Sequence, residues 1–141
     1  MNITLLNKPV TKLKTGIYEV TDLEKGEYDG QAVLYDRLIS NGLYNRLMWG
    51  NSPKNYSNFC LKALNNNNNN PIVDIGCGTL SFTYKAYAKH NKKEIFLCDL
   101  SLEMLKIGKI RIESICDNIS SINFLRSNAL HLPFKENSIQ T

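Results

Sequence analysis

The feature that most constrains this chain is an alternation of short apolar runs and helical stretches beginning at Pro71. Ile72-Val73-Asp74-Ile75 is apolar, β-branched and ends at a glycine. Residues 80–90 suit a helix, and Glu94-Ile95-Phe96-Leu97-Cys98 forms a second strand that ends at Asp99. Ser101 reads as a helix N-cap, with Glu103 in the first turn, where the helix dipole favours an acid. Leu105, Gly108, Ile112 and Ile115 recur on one helical face, and Ile122-Asn123-Phe124-Leu125 is a third strand. A β-α-β-α-β order with short connections selects a parallel sheet with right-handed crossovers. The expected class is therefore α/β, with a Rossmann-like sheet.

The chain before Pro71 is less regular. Residues 1–30 mix Pro9, Gly16, Gly26 and Gly30 with charges, and no element is placed there. Residues 31–64 read as helical: Val33, Leu34, Leu38 and Ile39 recur near helical spacing. Pro53 interrupts, and Tyr56, Phe59, Cys60 and Ala63 mark a second amphipathic segment. Asn65–Asn70 are six consecutive asparagines, whose side chains compete for backbone hydrogen bonds and favour a surface loop. The expected division is a helical or cap segment over 1–64, an Asn-rich loop over 65–70, and a ligand-binding domain over 71–141.

At 141 residues, with 43% hydrophobic and 21% charged, the chain suits one small core and is too apolar for disorder. The net charge of +4 is spread evenly between the two halves, so no nucleic-acid partner is expected. No apolar run is long enough to span a membrane, and the N-terminus lacks a secretory h-region. Cys60, Cys77, Cys98 and Cys116 form no CxxC pair, so no metal site is expected. They read as reduced thiols in a cytoplasmic protein.

The chemistry concentrates in Asp74-Ile75-Gly76-Cys77-Gly78-Thr79. Gly76 can take backbone angles that a Cβ forbids, and Gly78 lets a ligand approach the main chain. The free N–H groups of the following helix would point at that ligand. Asp99 lies 23 positions after Gly76, where a carboxylate can accept from both ribose hydroxyls. An Asx-turn or helix cap before Ser101 is the other reading of Asp99. Asp74 reads either as a ligand-side residue that reaches an amine through water or as a solvated acid at a strand end. A dinucleotide G-x-G-x-x-G/A pattern fails at Ser81.

Taken together, VDIGCGTLSFT, IFLCDLSLEML and NFLRSNALHLPFKENS resemble the class I S-adenosylmethionine-dependent methyltransferases. The resemblance is to the small-molecule group that includes ubiquinone/menaquinone-biosynthesis-like enzymes, and it covers residues 71–138. Asp74, Gly76 and Gly78 match the family's acid and G-x-G-x-G, with Leu80 in place of the last glycine. Asp99, Ser101, Met104 and Leu105 match D-x-S-x-x-M-L. Asn128, Ala129, Leu132, Pro133 and Phe134 match D-A-x-x-L-P-F.

The resemblance implies S-adenosylmethionine as cofactor, held by Asp74, Gly76, Cys77, Gly78, Asp99, Leu100, Asn128 and Ala129. Asn128 would accept from the adenine amine through its amide oxygen, and Leu100 and Ala129 would flank the adenine. A side chain at Leu80 is expected to crowd the methionine moiety. Tyr35-Asp36-Arg37, Tyr44-Asn45 and Trp49-Gly50 resemble the segment that covers the active site in such enzymes, with Tyr44 and Trp49 singled out. No residue is assigned as catalytic.

The family fold is seven-stranded, so the chain is expected to carry strands 1–3 only, to be truncated before strand 4 and to lack activity alone. Self-association through the exposed sheet edge is expected. A nicotinamide-dependent oxidoreductase half-domain and a non-catalytic binding module are the alternatives.

Overall fold

The computed structural model describes residues 1–21, 23, 33, 34, 36, 52–66 and 70–139. Its centre is a parallel trio: β3 (Ile72–Ile75), β4 (Ile95–Asp99) and β5 (Ile122–Arg126). Register pairs Ile72 with Ile95 and Ile95 with Ile122, so all three strands deliver their C-terminal ends to one edge. β-branched and aromatic residues dominate these strands and pack well on a pleated surface. Residues 122–125 of β5 and 95–98 of β4 are buried throughout, as expected for strands covered on both faces.

The sheet has five strands rather than the three expected. β1 (Val10–Lys12) and β2 (Tyr18–Val20) form an antiparallel hairpin, and β2 pairs in parallel with β5. The order is β1-β2-β5-β4-β3. Residues 10–20 are therefore a hairpin and not part of a helical segment. Gly16 closes the turn at φ 78, a left-handed conformation that suits glycine, and Leu13 N–H donates to the Ile17 carbonyl at 2.8 Å. The hairpin holds its place by burying Ile17 and Val20 and by an ion pair between Glu19 and Arg126 at 2.7 Å, opposite each other across β2 and β5.

Three helices are described: α1 (Pro53–Asn66), α2 (Tyr84–Lys89) and α3 (Leu102–Glu113). Ser101 caps α3 as expected, its hydroxyl accepting from the Met104 N–H. Leu105, Gly108 and Ile112 form its buried face, but Ile115 lies past the helix end and is 50% exposed. On α1 the buried positions are Cys60 and Leu64, whereas Phe59 is 76% exposed and Ala63 is exposed too. The apolar stripe is thus rotated from the one expected. The helix also runs on through Asn65 and Asn66, the first two asparagines of the run.

The two faces of the sheet are covered differently. Ile95, Leu97, Ile122 and Phe124 face the helices. Phe96, Cys98 and Leu125 face a layer that includes Met1, Leu5 and Phe134. Phe134 meets Phe96 edge to face at 5.2 Å, and Asn7 N–H donates to the Pro133 carbonyl at 2.9 Å. The Leu-Pro-Phe stretch therefore closes the face opposite the helices. β3 forms one rim, and among the described residues no strand pairs with its outer side.

Candidate functional site

The chain leaves β3 through Gly76 at φ 74 and Gly78 at φ 57. Both are left-handed conformations, which explains the glycines at these positions. The Gly76 and Cys77 N–H groups both donate to the Cys98 carbonyl, at 2.8 and 3.0 Å. This ties the turn to the end of β4. The Gly78 N–H donates to Asp99 Oδ2 at 2.8 Å, and the Ser101 N–H donates to Oδ1 at 2.9 Å. Asp99 thus makes the local turn that its sequence context allowed and also anchors the glycine turn. Each carboxylate oxygen keeps a further lone pair with which to accept from a ligand.

Asp74 lies beneath the turn. The Tyr87 hydroxyl, from α2, donates to its Oδ2 at 2.7 Å. Burial raises the Asp74 pKa; the Tyr87 hydrogen bond opposes the rise and the nearby Asp99 charge adds to it. Burial also raises the Tyr87 hydroxyl strongly, and the Asp74 charge adds to the effect, so Tyr87 acts as a donor and not as a base. Burial pushes the Cys98 thiol up to about 12 and the Cys77 thiol well above its usual range. Both stay protonated at neutral pH, which makes them poor nucleophiles. Two carboxylates converging on one turn favour a ligand that brings positive charge.

Leu80 follows the turn directly. It sits at φ 57 and is only 2% exposed, its side chain turned inward against Gly108 of α3. A Cβ at Gly108 would lie 3.1 Å from Leu80 Cγ, so the missing side chain on α3 is what makes room for the leucine. The left-handed Leu80 has a second effect. Residues 81–83 form turns and α2 starts only at Tyr84, with no side-chain cap from Thr83. The expected cradle of helix N–H groups directly after Gly78 is therefore not formed.

The residues after Gly78 are instead held by a cluster that the sequence did not reveal. Arg111 of α3 grips Asp36 with both arms, Nη1 to Oδ1 at 2.8 Å and Nη2 to Oδ2 at 2.6 Å. Its Nη1 also donates to the Thr79 carbonyl at 2.7 Å and to Ser81 Oγ at 3.2 Å. The Thr79 and Ser81 hydroxyls both donate to Asp36 Oδ1. Burial raises the Asp36 pKa, but the bonds from Arg111, Thr79 and Ser81 outweigh it and lower the pKa to about 2. Asp36 and Arg111 lie 75 positions apart, so no local pattern signals the pair.

Asn128 and Ala129 follow β5 at the same edge of the sheet. The Asn128 amide oxygen accepts from the Leu130 N–H at 2.9 Å and so caps a 3-10 turn over Ala129–His131. One lone pair on that oxygen remains for a ligand amine. Arg126 Nε donates to the Leu100 carbonyl at 2.9 Å, fixing the loop after Asp99. A cavity of about 550 Å3 opens beside Asn128, lined also by Lys8, Pro9, Val20, Thr21 and His131. The hairpin thus supplies a wall that sequence reasoning missed. Its signal was Gly16 between the alternating Val10-Thr11-Lys12 and Tyr18-Glu19-Val20.

Gly76, Cys77, Gly78, Asp74, Asp99 and Leu100 cluster at the ends of β3 and β4, and Asn128 and Ala129 stand at the end of β5. His90 is the C-cap of α2, its Nδ1 2.9 Å from the Ala86 carbonyl. Tyr35, Arg37, Tyr44, Asn45, Trp49 and Gly50 lie outside the described residues, as do 67–69 of the asparagine run. Among the described residues no group of His, Cys, Asp or Glu is arranged to hold a metal, and no helix is long and apolar enough to cross a membrane. The model of the ubiE/COQ5 methyltransferase family matches residues 33–141. Comparison with curated proteins gives no match.

Proposed function

The chain belongs to the ubiE/COQ5 methyltransferase family, whose members generally use S-adenosylmethionine, and from that membership we propose that it transfers a methyl group from this cofactor to a small-molecule or lipid-like acceptor. The observation that carries the reading is the turn at Gly76. The backbone there is left-handed, and a Cβ would meet nothing within 4 Å among the described residues, so the main chain is free on that side to approach a ligand beside two carboxylates. That arrangement fits a ligand with a cationic centre and a ribose diol. Asp99 is assigned to the ribose hydroxyls through its remaining lone pairs, and Asn128 to the adenine amine. Leu100 and Ala129 are assigned to the two sides of the adenine. Asp74 is assigned to the amino group of the methionine moiety, and Gly76, Cys77 and Gly78 to main-chain contacts.

The bound group supplies an activated methyl on a sulfonium. What the protein adds is alignment, which accounts for much of the acceleration in such transfers. No described side chain is assigned as a base. Among the described residues nothing pairs with the outer side of β3 and no acceptor wall is built there, and the isolated chain is proposed to bind cofactor without turnover. The same open rim is proposed to pair with a further strand or a second copy. Four cysteines without disulfides suit a reducing, cytoplasmic setting.

The test is calorimetric titration of residues 1–141 with S-adenosylhomocysteine and, separately, with NAD. Labelled methyl transfer to quinol, phenol and amine acceptors is assayed on the same sample. Binding of the adenosyl ligand and not of NAD is expected. Preference for NAD would replace this reading with the oxidoreductase one.

A further inference from the structure

We infer that Asp36 and Arg111 are positioning residues for the cofactor turn. This inference rests on the methyltransferase reading and deepens it.

Among the described residues, the Gly76 and Gly78 N–H groups are held from the β4 side, by the Cys98 carbonyl and the Asp99 carboxylate. Beyond Gly78 the chain has no regular structure until Tyr84. Turn bonds from the Leu80 N–H to the Cys77 carbonyl and from the Thr83 and Tyr84 N–H groups to the Leu80 carbonyl shape this stretch, but none of them fixes Thr79, and a short irregular segment opens readily unless other groups restrain it. The restraint comes from the other side, where Arg111 binds the Thr79 carbonyl and Asp36 takes both the Thr79 and the Ser81 hydroxyl.

The restraint is specific in geometry. A guanidinium fork on a carboxylate fixes two bonds in one plane, which a lysine cannot reproduce. The side chains of Asp36 and Arg111 are 15% and 25% exposed, so water screens the pair less than it screens a surface ion pair. Thr79 itself is 1% exposed, which leaves its hydroxyl dependent on protein partners. Arg111 belongs to α3, whose Gly108 accommodates Leu80, so the helix grips the strand-to-helix connection at two levels.

Neither residue is placed against the ligand. Asp36 reaches the turn from outside the β-α-β-α-β core. If that carboxylate is withdrawn, Arg111 and the two hydroxyls lose their common acceptor, and the bond from Arg111 to the Thr79 carbonyl loses the fork that fixes it. The pair thus ties the shape of the cofactor turn to a carboxylate remote in sequence.

The experiment compares wild type with Asp36→Asn, Arg111→Lys and Ser81→Ala. Thermal melts, S-adenosylhomocysteine titration well below the melting temperature, and amide hydrogen exchange of residues 77–81 without ligand are recorded for each. Asp36→Asn and Arg111→Lys are expected to weaken binding by about tenfold or more, with faster exchange confined to the turn, as for a ligand loop that has lost a charge-assisted network. Ser81→Ala, the mildest change and one that keeps the fork, should shift affinity in the same direction by less. Lowered melting temperatures with unchanged affinity and unchanged exchange at 77–81 would show a merely structural pair and overturn the inference. Full rescue by Arg111→Lys would overturn the argument from the fork. Failure of wild type itself to bind would overturn the methyltransferase reading and this inference with it. Binding by wild type that the variants match overturns only the inference.

Discussion

Adding a single methyl group at Gly108 tests how the glycine turn is supported. The Cβ of Gly108→Ala would lie 3.1 Å from Leu80 Cγ, 3.2 Å from Leu80 Cδ1 and 3.5 Å from the Gly78 carbonyl oxygen. Leu80 has little room to retreat, because it is buried and its carbonyl accepts from both Thr83 and Tyr84 at 3.1 Å. In an exposed helix the same substitution would stabilise by up to about 1 kcal/mol through helix propensity. Here overpacking opposes that gain, at a cost of about 1–3 kcal/mol. The net expectation is a loss of up to about 2 kcal/mol, with weaker binding of S-adenosylhomocysteine as Leu80 pushes on the Gly78 main chain. Leu80→Ala removes the clashing atoms and by itself costs about 2–5 kcal/mol as a buried truncation. In that background Gly108→Ala should stabilise by about 0.5–1 kcal/mol, so its sign reverses. Urea denaturation of the four proteins measures the coupling, expected at about 1–3 kcal/mol. If Gly108→Ala has the same sign and size with and without the Leu80 side chain, the packing argument is wrong.

Asp99→Ala should weaken adenosyl ligands by about 1.5–3 kcal/mol but 2′,3′-dideoxy analogues far less; equal losses in calorimetry would leave Asp99 only its turn-anchoring role. Gly76→Ala should cost about 1–2 kcal/mol of stability for the left-handed backbone without any clash, whereas Gly76→Val should abolish cofactor binding; unchanged affinity in the valine variant removes the turn from the site. Asp36 is held at about 2 against an ordinary 3.8, so its stabilisation is fully present above pH 3.8 and is lost as pH falls from there towards 2. Asp36→Asn should therefore remove about 1–2 kcal/mol at neutral pH and flatten the acid limb of the stability profile over that window, as read by melts against pH. Arg126→Met breaks both the Glu19 ion pair and the bond to the Leu100 carbonyl; loosened hydrogen exchange in residues 18–20 and 99–101 is expected, and exchange unchanged in both would refute the link between hairpin and loop.

The central trio of strands was legible because strand and helix periodicities are local: Ile72–Ile75 begins and ends where its apolar run does. The Ser101 cap was legible for the same reason, since an N-cap and its acceptor lie within one turn. So were the left-handed glycines, because a backbone that excludes a Cβ leaves a trace in residue type. The hairpin at residues 10–20 was not placed. Three-residue strands carry little periodic signal, and what holds them is pairing with β5, more than a hundred residues away. The face of α1 was misjudged because its stripe is set by packing against α2 and the sheet, not by hydrophobic count alone. Leu80 shows the same division within one residue. The sequence showed a leucine where the resembling family has glycine, but only Gly108 on a separate helix decided that its side chain turns inward. The Asp36–Arg111 fork completes the pattern, because a bond between residues 75 apart exists only once the chain has folded. Local chemistry wrote the turn and the strand ends, and long-range packing determined which groups restrain them.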